Sequence, residues 1–135
     1  MNGKPAILIV DDEAIILMAI KQELFGHFGD KYLLETALNA ADAIQAIDEL
    51  AGDGVRIILV ISDWLMPGKK GDEFLAEVKA SHPEIRCIII SGHADPDAIA
   101  RARARVDLDA FIEKPWDRRD LLNAVSACVA GYCPD

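Results

Sequence analysis

Arg56-Ile-Ile-Leu-Val-Ile-Ser62 decides how this chain folds. Its aliphatic residues follow one another without alternation, so neither side of the segment is left for water. Strands with one wet face alternate apolar and polar residues, whereas strands covered by helices on both faces do not. The run therefore reads as a strand of a parallel sheet. Outward from it, Ile7-Leu-Ile-Val10, Ile85-Arg-Cys-Ile-Ile-Ile-Ser91 and Asp107-Leu-Asp-Ala-Phe-Ile-Glu113 carry the same character, and Tyr32 to Ala37 is a weaker fifth strand. The intervening segments, Glu13 to Phe28, Ala40 to Ala51, Gly71 to Ser81, Pro96 to Arg105 and Asp117 to Ala130, are rich in Ala, Leu, Glu, Lys and Arg and read as helices.

Strand then helix, five times over, calls for a doubly wound parallel sheet with right-handed crossovers. The expected fold is a single α/β domain over residues 1–135, (βα)5 and flavodoxin-like, with strand order 2-1-3-4-5. Gly52-Asp-Gly54 and Met66-Pro-Gly68 break the chain at element boundaries, and Asp95 before Pro96 is placed to cap the fourth helix. No linker, repeat or low-complexity segment interrupts the pattern.

Composition narrows the function. The 135 residues hold 14 Lys+Arg against 23 Asp+Glu, a formal charge of -9, with a pI near 4.7. Sequence-independent binding to nucleic acid or to an anionic membrane needs the opposite sign, so neither is an expected partner. A hydrophobic fraction of 52% with mean hydropathy +0.17 is enough to bury a core. Cys87, Cys128 and Cys133 cannot all pair and match no zinc or CxxC spacing. With no apolar run approaching the ~20 residues of a membrane span, and no signal region after Met1, a soluble cytoplasmic protein is expected.

Ligands of open α/β sheets gather beyond the carboxyl ends of the strands. The first strand ends there in Asp11-Asp12, the third in Asp63, the fourth in Ser91 and the fifth in Lys114. Three carboxylates held close repel by several kcal/mol at intermediate dielectric, so the edge needs a cation or a proton. Mg²⁺ suits hard oxygen ligands and commonly takes one or two carboxylates together with substrate phosphate. A carboxylate nucleophile, a divalent ion and a lysine suit in-line phosphoryl transfer that leaves an acyl phosphate. A purely structural acidic edge is the other reading that these residues leave open.

Asp11-Asp12-Glu13 after a hydrophobic strand, Asp63-Trp-Leu-Met-Pro-Gly-Lys-Lys-Gly71, Ser91-Gly92 and Phe111-Ile-Glu-Lys-Pro115 together resemble the signature of response-regulator receiver domains, across the whole chain. The resemblance implies that Asp63 accepts a phosphoryl group from a histidine kinase or a phosphotransfer protein. Asp12 and Asp63 would bind Mg²⁺ with the backbone carbonyl of Leu65, and Asp11 would act through water or hold the geometry. Ser91 would bond a phosphoryl oxygen, Lys114 would pair with the phosphate through a cis Lys114-Pro115 turn, and Phe111 would be the aromatic that turns inward when Ser91 moves. Gly92 would leave access to the acyl phosphate. By this resemblance the chain is a phosphoacceptor rather than an enzyme with an external substrate.

Trp116 departs from the more usual Phe after Lys-Pro. Leu65 cannot orient a water and favours slow hydrolysis, while His93 can work the other way, so the lifetime stays open. Two further readings compete. One is a Mg-dependent phosphohydrolase that passes through an aspartyl phosphate, although Glu13 directly follows Asp11-Asp12 and 135 residues leave no room for a cap domain. The other is a pseudo-receiver that binds partners without being phosphorylated. The first helix is more apolar than one buried face requires. Ile16, Ile20 and Leu24 form the stripe expected to face the sheet, and Ile15, Met18 and Phe25 the opposite one, with Phe25 able to pack on the following loop. In the family this helix and the Pro115-Trp116 loop receive the phosphohistidine donor. Arg101, Arg103 and Arg105 on the fourth helix could serve a phosphorylation-dependent homodimer by meeting Asp107, Asp109 or Asp117 of a second copy. The output partner or effector domain is not named by the sequence.

Overall fold

The computed structural model describes residues 3–66, 68–92 and 95–130. Its elements are β1 (Ala6–Val10), α1 (Ala14–Phe28), β2 (Leu33–Ala37), α2 (Ala40–Gly52), β3 (Ile57–Asp63), α3 (Gly71–Ser81), β4 (Arg86–Ser91), α4 (Pro96–Arg105), β5 (Ala110–Glu113) and α5 (Arg118–Val129). The five strands form one parallel sheet in the order β2-β1-β3-β4-β5, as the sequence reading expects.

Every residue of β1 and β3 is buried, which is what the unbroken aliphatic runs require. The sheet divides the interior in two. Ala6, Leu8 and Val10 face a core closed by α2, α3 and α4, with Phe74 and Leu75 fully buried in it. Ile7 and Ile9 face the other core, where Leu17, Ile20 and Leu24 of α1 meet Leu121 and Val125 of α5. Burying each such side chain contributes roughly 1.5–3 kcal/mol, so either helix layer is anchored without further bonds. The pairing of β1 with β3 passes from Ala6↔Ile57 to Ile7↔Leu59, and the skipped Ile58 lies in the same core as Leu59.

The helix starts follow local chemistry. Asn39, Asp95 and Asp117 each accept a backbone N–H from the first turn of the helix they precede, and Pro96 opens α4 where no N–H is needed. Gly54, at φ 80°, supplies the left-handed turn after α2.

Three expectations need correction. The fifth strand is shorter than Asp107 to Glu113 and begins at Ala110, while Asp109 just before it is tied to β4 by its own N–H, which donates to the Cys87 carbonyl at 2.8 Å. Its carboxylate accepts from the Cys87 N–H at 2.9 Å and from Arg86 at 3.1 Å. On α1 the buried stripe is Leu17, Ile20 and Leu24, while Ile16 is half-buried. Phe25 does not pack on the following loop. It is 58% exposed, and the ring that makes that contact is Phe28, edge-on to Tyr32 with centroids 5.4 Å apart.

Candidate functional site

The strand order reverses between β1 and β3, and the residues beyond those two strand ends share one crevice. β1 delivers Asp11 and Asp12, and β3 ends on Asp63. One carboxylate oxygen from each of the three lies within 4.8 Å of the others. Asp11 is 2% exposed, Asp63 is 8% exposed and Asp12 is open to solvent.

Each buried acid is held by its neighbours. Asp11 Oδ1 accepts from the Glu13 N–H at 2.8 Å, tying the acid pair to the start of α1. Asp63 Oδ1 accepts from the Trp64 N–H at 2.8 Å, and the Ser62 hydroxyl donates to the Asp63 carbonyl at 2.8 Å. Lys114 reaches in from beyond β5, its Nζ 3.0 Å from Asp11 Oδ2 and 3.4 Å from Asp63 Oδ1. The Lys114-Pro115 bond is cis, as expected. The Lys114 N–H donates to the Ser91 carbonyl at 2.8 Å, which fixes the lysine to the end of β4. Ser91 itself is fully buried.

Electrostatics follow from this crowding. Burial, and then the charge of Asp11, hold the Asp63 carboxyl above its ordinary range, against the opposing pull of Lys114 and the Trp64 N–H. For Lys114, burial works against the ammonium, but the hydrogen bond and charge of Asp11 and then the charge of Asp63 outweigh it and raise its pKa. Three carboxylates against one ammonium leave two net negative charges, which a divalent cation would neutralise. An all-oxygen donor set of this charge fits Mg²⁺.

The structure thus brings Asp11, Asp12, Asp63 and Lys114 together, with Ser91 on the same edge. Phe111 is half-buried on β5, its ring 5.8 Å from that of Trp64. The Leu65 side chain points to solvent, 45% exposed. His93, Cys133 and Pro67 lie outside the described residues. Burial pushes the Cys87 and Cys128 thiols up to about 12 and about 11, so both stay protonated and inert.

Two supports escaped the sequence reading. Gly71 opens α3 pressed onto the backbone of Asp63 and Trp64: its N–H donates to the Trp64 carbonyl at 2.6 Å, and a Cβ there would collide with the Asp63 carbonyl oxygen and stand 3.0 Å from the Trp64 Cα. Its fixed place after Asp63 was the available signal. Trp116 donates from its indole N–H to Glu23 of α1 at 2.9 Å, a pairing 93 residues apart that no local pattern announces. The arginines of α4 need correction too. Arg105 lies 3.7 Å from both Asp72 and Glu73 of α3, and Asp109 is taken by Arg86, so these two already have partners within the chain.

Residues 7–126 match the model of the response regulator receiver domain. Sensor kinase CckA of Brucella abortus is 30% identical over 93% of this chain, and the hydrogenase transcriptional regulatory protein HoxA of Cupriavidus necator is 34% identical over 96%. The chain spans only 12% and 25% of those two proteins. Among solved structures, the signal receiver domain of an HD domain-containing protein from Pseudomonas fluorescens Pf-5 superposes with a TM-score of 0.83 at 29% identity, covering 95% of this chain and 96% of that one. The fold and the acidic edge define a phosphoacceptor module of two-component signalling. The chain belongs to the response regulator receiver domain family. Among the described residues, no helix is long and apolar enough to cross a membrane.

Proposed function

We propose that Asp63 is the residue that accepts the phosphoryl group, and that a histidine kinase or phosphotransfer protein donates it from a phosphohistidine. A carboxylate oxygen of Asp63 attacks phosphorus as the P–N bond breaks, and the electron pair returns to the imidazole. The observation that supports this reading is the meeting of three carboxylates with Lys114 at the strand-order reversal. Asp11, Asp12, Asp63 and the Leu65 carbonyl would hold Mg²⁺, which supplies charge neutralisation for the transferring group. Lys114 and Ser91 would take phosphoryl oxygens, and Ser91 and Phe111 would pass the event to a separate output. Residues 1–135 act as one receiver unit, which returns the phosphoryl group to water by its own chemistry. The cytoplasm is the compartment that keeps Cys87 and Cys128, both free, reduced.

Acetyl phosphate tests the acceptor without a protein donor. Labelling is expected to require Mg²⁺, to map to Asp63 by mass spectrometry, and to saturate near one phosphoryl group per chain. Continuous turnover of the ester would instead favour a phosphohydrolase, and metal-independent labelling would remove Mg²⁺ from the site.

Donor docking is assigned to the outer face of α1 with the Trp116 loop. Ile15 and Met18 are 74% and 61% exposed, although apolar. Beside them a cavity of about 450 Å³ is lined by Ile16, Glu23, Lys114, Pro115 and Trp116, and so opens onto the acceptor's lysine. Met18→Glu or Ile15→Arg should slow transfer from a protein donor at least ~10-fold, as a loss of ~1.4 kcal/mol of docking energy implies. Acetyl phosphate labelling of the same variants should barely change. Equal loss in both assays would make these residues structural.

The face made by α4, β5 and α5 is assigned to the phosphorylation-dependent homodimer. On α4, Arg101 and Arg103 are exposed arginines for which, among the described residues, no partner within the chain is identified. Sedimentation that is unchanged by beryllofluoride would retire it.

A further inference from the structure

Trp64 joins Asp63 to Phe111. Its backbone is held on both sides: the N–H donates to Asp63 Oδ1 at 2.8 Å, and the carbonyl accepts from the Gly71 N–H at 2.6 Å. Its side chain leaves the acidic pocket and enters the core that holds Phe74, Leu75 and Ala102. There its ring meets Phe111, centroids 5.8 Å apart and planes inclined at 60°, the edge-on arrangement that aromatic quadrupoles favour. Trp64 is 7% exposed, while Phe111 is half-buried.

We propose that Trp64 is a positioning residue whose indole sets the seat of Phe111, so that the state of the acceptor reaches the switch aromatic through Trp64 as well as through Ser91. The proposal rests on Asp63 being the acceptor. Oδ1 of Asp63 is the oxygen addressed by both the Trp64 N–H and Lys114 Nζ. When Asp63 becomes an acyl phosphate, that oxygen loses its carboxylate charge whichever oxygen attacks. If Oδ1 attacks, it becomes the bridging oxygen, a poor acceptor. If the other attacks, Oδ1 becomes an uncharged carbonyl. Hydrogen bonds to ionised groups are roughly twice as strong as neutral ones, so the bond fixing the Trp64 backbone weakens in either case. The indole then shifts on the ring it touches, and the preferred orientation of Phe111 changes.

Fluorine NMR of the full chain tests this. The four phenylalanines are replaced by 4-fluorophenylalanine, the Phe111 signal is assigned with Phe111→Leu, and Mg²⁺ with beryllofluoride serves as the phosphoryl mimic. Bound fluoride appears in the same spectrum, so the Phe111 response is read per bound mimic. Wild type should show a distinct Phe111 shift on binding. Trp64→Leu should cut that response at least threefold, and Trp64→Phe, which keeps an aromatic edge, should restore more than half of it. Ser91→Ala should retain a residue of the response that the double variant with Trp64→Leu loses. A full response in Trp64→Leu, or equal loss with Leu and Phe, would overturn the proposal. No bound-fluoride signal in wild type would instead fail the acceptor reading itself, and the inference with it.

Discussion

Asp63→Asn should reduce labelling by acetyl phosphate by at least ~100-fold and, in the absence of metal, make the domain more stable. The first effect follows from the nucleophile, since a carboxamide oxygen carries no charge to attack phosphorus. The second follows from linkage. The pKa of Asp63 is raised in the folded protein by burial and by Asp11, so the folded state holds its proton more tightly than the unfolded chain does. Stability is therefore lost as pH rises from the ordinary carboxylate range through that raised pKa, and at neutral pH the ionised acid is a cost. Asparagine removes it. Each kcal/mol of relief raises the midpoint of a domain this size by about 3–5 °C. Thermal scans from pH 4 to 8 without metal should show the slope in wild type and its absence in the variant, and Mg²⁺ should stabilise wild type more. Undiminished labelling would move the acceptor elsewhere, and a variant that melts below wild type would show that the attraction of Lys114 outweighs the repulsion.

Gly71→Ala is the second large effect. The added carbon collides with the Asp63 carbonyl oxygen, which belongs to the backbone and cannot rotate away. Overpacking costs about 1–3 kcal/mol, and a backbone obstacle puts this case at the upper end. A fall of about 10 °C in Tm is expected. Because the Asp63 backbone has to move, the labelling rate should also fall ~10- to 100-fold, since a misplacement of a reacting group by about 1 Å can cost that much. Measuring both in one preparation separates the causes: a lowered Tm with wild-type labelling would mean that α3 yields rather than the acceptor loop, and no change in either would show that the close approach is easily relaxed.

The fold was legible because its central strands are apolar on both sides. β1 and β3 admit no assignment but a covered sheet, and the helices between them leave one economical winding. β5 was overdrawn by three residues because Asp107 to Asp109 look like strand until Asp109 is seen bonding Arg86 and the Cys87 N–H, a tertiary contact with no local sign. α1 was read correctly in its exposed Ile15 and Met18. Its buried stripe holds Ile20 and Leu24 as expected, with Leu17 in place of Ile16, since both are apolar and only packing chooses between them. In the site, Asp11, Asp12, Asp63 and Lys114 were legible because strand ends are predictable addresses. The pairing of Trp116 with Glu23 and the ring contact of Trp64 with Phe111 depend on how side chains leave two separate elements, which spacing does not encode.

The division of the interior by the sheet has a consequence for how such a chain can diverge. α1 and α5 draw on one core, and α2, α3 and α4 on the other. Substitutions in separate layers with no shared partners add nearly independently. If the outer side of α1 hears the donor and the surroundings of α4 give the answer, as proposed, changes in the one are insulated from changes in the other. The sheet is common to both, with β1 supplying Ala6, Leu8 and Val10 to one core and Ile7 and Ile9 to the other, and the acidic edge lies at its end. Drift in address and drift in message can proceed at separate rates while the chemistry between them stays fixed.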